Sequence, residues 1–333
     1  MTPHTRMAAS DRLDHLLLAG DRIGNYRIEL ELASHATTAS YRAVHVMLPR
    51  HAVIKIHHAP TDQASVLSML REACILDALH HPGIIRVYES GLHEGRPWFA
   101  TELVDASTID NLLSPDAIDH VAAIALMRDL AQVIEHAYRR GVIHCGLRPE
   151  RILMTGRTRG FPICVADWSD ARAHDARSQQ LAPSVAAWHY TSPELRCGDP
   201  IDDRTDVFAL GVLAYQMLAG RMPFDNGILA TVDDGTTQHV PIGVHCRDLP
   251  PELTRLVDQM LAYDRWDRPR AVDVVSELSW LADVFTTPIH TRPPASGMPR
   301  IRRPRWTPAL SFGGPSETPP PEHDAIPVSD DAE

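Results

Sequence analysis

V-I-H-C-G-L-R-P-E-R-I-L-M (Val142 to Met154), a short loop, then I-C-V-A-D-W-S-D-A-R (Ile163 to Arg172) form the stretch around which the chain is organised. It reads as two short apolar, strand-like pieces separated by a turn-rich loop, Thr155 to Pro162.

The composition around it is that of a soluble globular protein. The 333 residues are 44% hydrophobic and 23% charged, enough for one large domain or two lobes with a sizeable core. A formal net charge of −11 argues against a general nucleic-acid binder. The five cysteines (Cys74, Cys145, Cys164, Cys197, Cys246) are widely spaced with no C-x-x-C, which predicts reduced thiols in a cytoplasmic protein. The apolar run Val121 to Met127 is too short for a membrane span, and the N-terminus lacks the basic flank and apolar core of a secretory signal. The pairs His57-His58 and His80-His81 read as surface or loop histidines, since adjacent residues rarely converge on one metal ion.

Outward from the central stretch, residues 1–20 read as a flexible lead-in. Y-R-I-E-L-E-L (Tyr26 to Leu32) alternates, which predicts a strand with Tyr26, Ile28, Leu30 and Leu32 on one face. Tyr41 to Val46 and Ala52 to Ile56 are further strands, and Gln63 to His80 carries apolar residues at helical spacing. Pro82 ends that helix, and strands follow in His81 to Gly91 and Pro97 to Val104. Ser114 to Gly141 predicts the longest helix, started by Ser114-Pro115-Asp116 and stopped by Gly141. Ala173 to Tyr190 is polar without periodicity. From 286 to 333 prolines accumulate and aliphatic residues thin out, which predicts a disordered tail with a basic run (Arg300 to Trp306) before an acidic end.

Several of these segments resemble motifs of the eukaryotic-type Ser/Thr protein kinases, in family order. The central stretch is similar to H-R-D-L-K-P-E-N-I-L followed by D-F-G, with His144, Leu147, Pro149, Glu150, Ile152, Leu153 and Asp167 in the family's places. H-P-G-I-I-R-V-Y-E-S-G (His81 to Gly91) and D-D-R-T-D-V-F-A-L-G-V-L-A-Y-Q-M-L-A-G-R-M-P-F (Asp202 to Phe224) match almost throughout. T-S-P-E-L (Thr191 to Leu195) resembles A-P-E, and D-R-W-D-R-P (Asp264 to Pro269) the last motif. The resemblance implies an α+β, bilobal protein-kinase-like fold over 21–285. The small β-rich N-lobe with one long helix covers about 21–104, and the large, mainly helical C-lobe about 105–285.

It also implies site residues. Lys55 and Glu72 match the ion pair that meets the ATP phosphates. Thr101 guards the back of the adenine pocket, Glu102 to Val104 form the hinge, and Leu153 belongs to the same pocket. Asp167 matches the metal-binding aspartate. His144 stacks with Leu76 and Trp168 in the packing column. Asp206 anchors the backbone of the catalytic loop, and Glu194 pairs with Arg268. Where the chain departs from the pattern, the chemistry goes with it. Gly146 stands for the catalytic Asp, Cys145 for the Arg before it, Arg148 for the Lys, and Arg151 for the metal-binding Asn. The glycine-rich hairpin has no glycine between Leu32 and Tyr41, so Ala33, His35 and Thr38 hold the loop off the phosphates. Arg151 cannot ligate a metal, because a guanidinium only donates.

The kept frame and altered chemistry together imply a pseudokinase, a regulatory or scaffold module of kinase fold. ATP and Mg²⁺ are the cofactors the family would supply. The expected partner is another protein (a kinase, substrate or effector), met through the segment Ala173 to Tyr190, which resembles the family's activation segment, or through the C-terminal tail. Two alternatives stand beside this reading. One is a divergent active Ser/Thr kinase that uses Asp167, Asp170 or a substrate-side group in place of the base and moves the γ-phosphate to a protein hydroxyl. The other is transfer of AMP to protein. For the site, the residues allow either that Arg148, Arg151 and Lys55 neutralise a metal-free nucleotide or that Arg151 pairs with Asp167 and fills the space.

Overall fold

The computed structural model describes residues 17–58, 63–114, 117–156, 159–174, 185–224 and 239–286. The expectations for most of the lead-in, for 175–184 of the activation segment and for the tail lie outside these residues. Leu17, at the end of the lead-in, is buried in the core of the N-terminal lobe.

Six strands form one antiparallel sheet. They are β1 (Arg22–Ile23), β2 (Tyr26–Ser34), β3 (Thr38–His45), β4 (His51–His57), β5 (Val87–His93) and β6 (Arg96–Glu102), in the order β1-β2-β3-β4-β6-β5. Period-2 alternation in β4 decides where the chemistry lies. Ala52, Ile54 and Ile56 are buried with Tyr26, Tyr41 and Trp98 on one face of the sheet. Val53, Lys55 and His57 therefore line the cleft on the other face. The register repeats the split in β6, where Lys55 lies opposite Phe99 and Val53 opposite Thr101. Helix α1 (Gln63–Ala78) packs against β5 and β6 and brings Glu72 to the same face.

β2 corrects the alternation read from its sequence. Tyr26 and Ile28 are buried, but Leu30 and Leu32 are each 47% exposed. The pairing with β3 shifts register between Ile28 and Leu30 and again between Glu31 and Ala33. Each bulge breaks the two-residue period, so the later leucines leave the face that Tyr26 begins.

The larger lobe is built on α2 (His120–Tyr138), α5 (Asp203–Ala219), α6 (Pro251–Met260) and α7 (Ala271–Thr286), with α2 lying against both α5 and α7. Short helices α3 (Val185–Trp188) and α4 (Pro193–Cys197) precede α5. Helix α2 begins later than its sequence signals suggest. Asp119 is its N-cap and accepts a 2.8 Å hydrogen bond from Ala122 N–H, so the helix starts at His120 rather than after Ser114. Helix α5 is apolar nearly all round and is buried through most of its length. It ends on Gly220, whose left-handed backbone (φ 64°) lets its N–H reach Gln216 O.

The central stretch folds as two pairings. β7 (Val142–Ile143) pairs with β10 (Arg172–Ala173), and β8 (Ile152–Met154) pairs with β9 (Ile163–Val165). The segments between them, 144–151 and 166–171, are held together at the base of the cleft. Behind them Arg268, with no exposed side chain, donates to Glu194 Oε1 (2.8 Å) and Oε2 (3.0 Å) and to the carbonyls of Ala262, Tyr263 and Arg204. None of the five cysteines is in a disulfide.

Candidate active site

A cleft of about 760 Å³ lies between the sheet and the helical lobe. Lys55, Glu72, Thr101, Glu102, Val104, Arg148, Arg151, Leu153 and Asp167, which the resemblance assigns to the site, line it together with Val53.

The charged end is a continuous ion network. Lys55 Nζ lies 2.9 Å from Glu72 Oε2, 3.1 Å from Oε1 and 3.2 Å from Asp167 Oδ1. Arg151 Nε lies 2.8 Å from Asp167 Oδ2, and Nη1 lies 2.7 Å from Asp170 Oδ2. The same Nη1 donates to Gly146 O at 3.1 Å. Burial opposes ionisation of Asp167, but Lys55 and Arg151 outweigh it and hold the carboxyl well below the usual carboxylate range. The Lys55 pKa is shifted the opposite way: burial lowers it, and Glu72 and Asp167 more than offset that and raise it. Arg148 stands outside the network, 3.5 Å from Glu150.

Gly146 makes room for this arrangement. A Cβ there would sit 2.2 Å from Arg151 Nη1 and 2.7 Å from Asp170 Oδ2. Arg151 is 95% buried (5% exposed), and its guanidinium occupies the volume that any side chain at 146 would enter.

The supporting backbone is strained and firmly held. Cys145 (φ 59°) and Asp167 (φ 52°) both adopt left-handed backbone, uncommon for residues with a Cβ. Asp206 accepts from the N–H groups of His144 (2.7 Å) and Cys145 (2.8 Å), which holds the first turn in place. His144 packs against Trp168 with ring centroids 4.5 Å apart, and Leu76 is buried nearby in α1. Burial, with Arg151 beside it, lowers the His144 pKa to about 3, so the ring is neutral and its Nδ1 accepts from Gly146 N–H (3.2 Å). Trp168 places its indole N–H on Val165 O at 3.2 Å, so the larger ring is buried without an orphaned donor.

Two residues of the site were not singled out as structural partners by sequence. Asp170 is the second carboxylate on Arg151; its position three after Asp167 is the only signal. Arg159, in the turn-rich loop, donates to Glu102 Oε1 (2.6 Å), Ile84 O (3.3 Å) and Cys164 Sγ (2.9 Å). It ties the hinge to the loop before β9, and nothing in the local sequence marks it. At the roof, His35 N–H donates to Thr38 O (2.8 Å) across the hairpin tip. The described non-glycine residues at positive φ are Glu94, Cys145 and Asp167, so the tip has ordinary backbone and not a glycine-type cradle.

These residues do not fit a Mg²⁺ ion. Magnesium demands oxygen ligands in near-octahedral array. Here both Asp167 oxygens face cations and Arg151 offers only donors.

The family description "Protein kinase domain" matches residues 31–281. This chain belongs to the protein kinase family. Among curated relatives, the serine/threonine-protein kinase pkn2 of Myxococcus xanthus is 28% identical over 84% of this chain and 36% of its own length. PknJ of Mycobacterium tuberculosis is 30% identical over 74% of this chain and 42% of its own. The chain thus spans well under half the length of either. The crystal structure of the Mycobacterium tuberculosis PknI kinase domain superposes with a TM-score of 0.61 at 23% identity, covering 80% of this chain and 99% of that one. The kinase fold is therefore plain, with a β-rich N-lobe, a helical C-lobe and the cleft between them. Among the described residues no helix is long and apolar enough to cross a membrane.

Proposed function

We propose that this kinase domain is a pseudokinase, a regulatory module whose cleft no longer carries out phosphoryl transfer. The carrying observation is the occupancy of the catalytic centre. The family's base position is Gly146, and the guanidinium of Arg151 fills the space beside it while pairing with Asp167 and Asp170. Phosphoryl transfer rests on positioned metal ions, an available lysine and a carboxylate that accepts the hydroxyl proton. Here Lys55 is shared between Glu72 and Asp167, and Asp170, the nearest substitute base, is bound to Arg151. Lys55 and Glu72 on this reading serve the shape of the N-lobe, and His144, Asp206, Glu194 and Arg268 hold a kinase-like frame. The output is contact with another protein, through the activation segment or the tail beyond 286.

The test is intact mass of the purified chain and a generic protein substrate after incubation with ATP and Mg²⁺ or Mn²⁺. Unchanged masses are expected. A phosphate or AMP increment that disappears in Asp167→Ala would replace this reading with an active transferase and identify the bond broken.

A further inference from the structure

The two ends of the cleft differ in kind. The inner end is a closed set of charges: Lys55 and Arg151 against Glu72, Asp167 and Asp170. These sum to a net charge of about −1, and each cation already has two carboxylate oxygens or two carboxylates within hydrogen-bond distance. On the rim, Arg148 has Glu150. Among the described lining residues no Lys or Arg is left without a carboxylate partner. A polyphosphate entering here would meet a charge set that is already net negative, with the Asp167 and Asp170 carboxylates held beside both cations. A metal ion offers no relief, since the Arg151 guanidinium already lies against both Asp167 and Asp170.

The outer end remains suited to a ligand. Val53, Val104, Leu153 and Leu32 give it apolar walls. β6 leaves the sheet after Glu102, so the backbone of Leu103 and Val104 runs along the wall without a strand partner. Apolar walls with a polar backbone edge suit a flat, uncharged heterocycle that carries a donor and an acceptor on one side.

We propose that Arg151 is a built-in cation that replaces the metal and seals the charged end, so that the cleft takes uncharged nucleoside-like heterocycles and discriminates against nucleoside triphosphates. This rests on the pseudokinase reading and adds ligand class to it. Gly146 is the complementary element, because only a residue without a side chain leaves the guanidinium its place.

Thermal unfolding and titration calorimetry of the full chain test this with adenosine, ATP, ATP plus Mg²⁺, and Mg²⁺ alone. Adenosine is expected to raise the unfolding temperature and to bind at least about tenfold tighter than ATP, a difference of about 1.4 kcal/mol. Mg²⁺ is expected to change neither. In Arg151→Asn, which releases Asp167 and Asp170, an Mg²⁺-dependent ATP shift is expected to appear. ATP binding in the wild-type chain as tight as adenosine, or strengthened by Mg²⁺, overturns the proposal, as does the failure of adenosine to bind. An Arg151→Asn chain that folds and gains no metal dependence overturns the role given to Arg151. Mg²⁺-dependent ATP binding without any mass increment would sink this proposal and leave the pseudokinase standing, whereas a phosphate increment would sink both.

Discussion

Replacing Gly146 with alanine adds one carbon, yet its cost depends on a residue five positions away. The new Cβ would lie 2.2 Å from Arg151 Nη1. That atom is the tip of a long side chain, so steric relief by itself costs little. The tip is also what holds Asp170 at 2.7 Å and Gly146 O at 3.1 Å. Moving it gives up a partly buried charge-assisted hydrogen bond worth about 1.5–3 kcal/mol. Because Gly146 is not left-handed, the alanine also removes unfolded-state entropy and returns about 0.4–1 kcal/mol. Gly146→Ala is therefore expected to destabilise by ~1–2 kcal/mol. With Arg151→Ala already in place, the new Cβ still meets Asp170 Oδ2 at 2.7 Å, but that carboxylate has lost its Arg151 partner and can turn aside, so the same substitution should be neutral or stabilise by about 0.4–1 kcal/mol. Urea unfolding of the wild type, both single variants and the double variant, followed by tryptophan fluorescence, yields the coupling. A coupling of about 1.5–3 kcal/mol is expected, and additivity within about 0.5 kcal/mol refutes the interlock.

Two further expectations follow from the buried charges. Arg268→Ala leaves the buried Glu194 carboxylate without its cation, with Thr205 Oγ1 (2.9 Å) and its own backbone N–H still donating to it, and should cost about 3–5 kcal/mol in a denaturant titration; a cost below about 1 kcal/mol would mean the pair is solvated in solution. One part of the acid dependence, beside that of the more strongly depressed His144, comes from His136, whose pKa is lowered to about 4 by burial, then by Arg140 and the neighbouring His81, Arg139 and His80. The unfolded histidine takes a proton near pH 6.5 and the folded one does not until about pH 4, so stability is intact above pH 6.5 and falls as the pH drops between those values. His136→Asn should flatten that part of the stability profile measured by urea midpoint, and an unchanged slope would assign the acid loss to other groups.

Much of the frame was legible because motif residues carry it: Glu194 with Arg268 and Asp206 with the 144–145 backbone lie together as the resemblance implies. The elements that went astray did so for local physical reasons. Strand alternation assumes constant register, and the two bulges of β2 are set by pairing with β3, which no single strand encodes. Ser114, Pro115 and Asp116 are good start signals, but Asp119 is another, and the cap that is used is chosen by packing of α2 on α5 and α7. At the site, the pairing of Arg151 with Asp167 was one of the two arrangements the residues allowed, the other being a cluster of Arg148, Arg151 and Lys55 around a metal-free nucleotide. The contact of Arg151 with Gly146 did not show, since the two are joined by an irregular turn running into a single 3₁₀ turn (Pro149–Arg151), whose path the letters do not specify. Nor did Arg159, which reaches Glu102 across a sequence separation of 57.

The interlock of Gly146 with Arg151 also bears on how this sequence can change. An aspartate at 146 alone would collide with the guanidinium, and an asparagine at 151 alone would leave Asp167 and Asp170 without the cation between them and position 146 still without a carboxylate. On the pseudokinase reading, neither single step would restore the arrangement of a catalytic centre. The pair would then act as a ratchet, with any route to catalysis running through two substitutions made together.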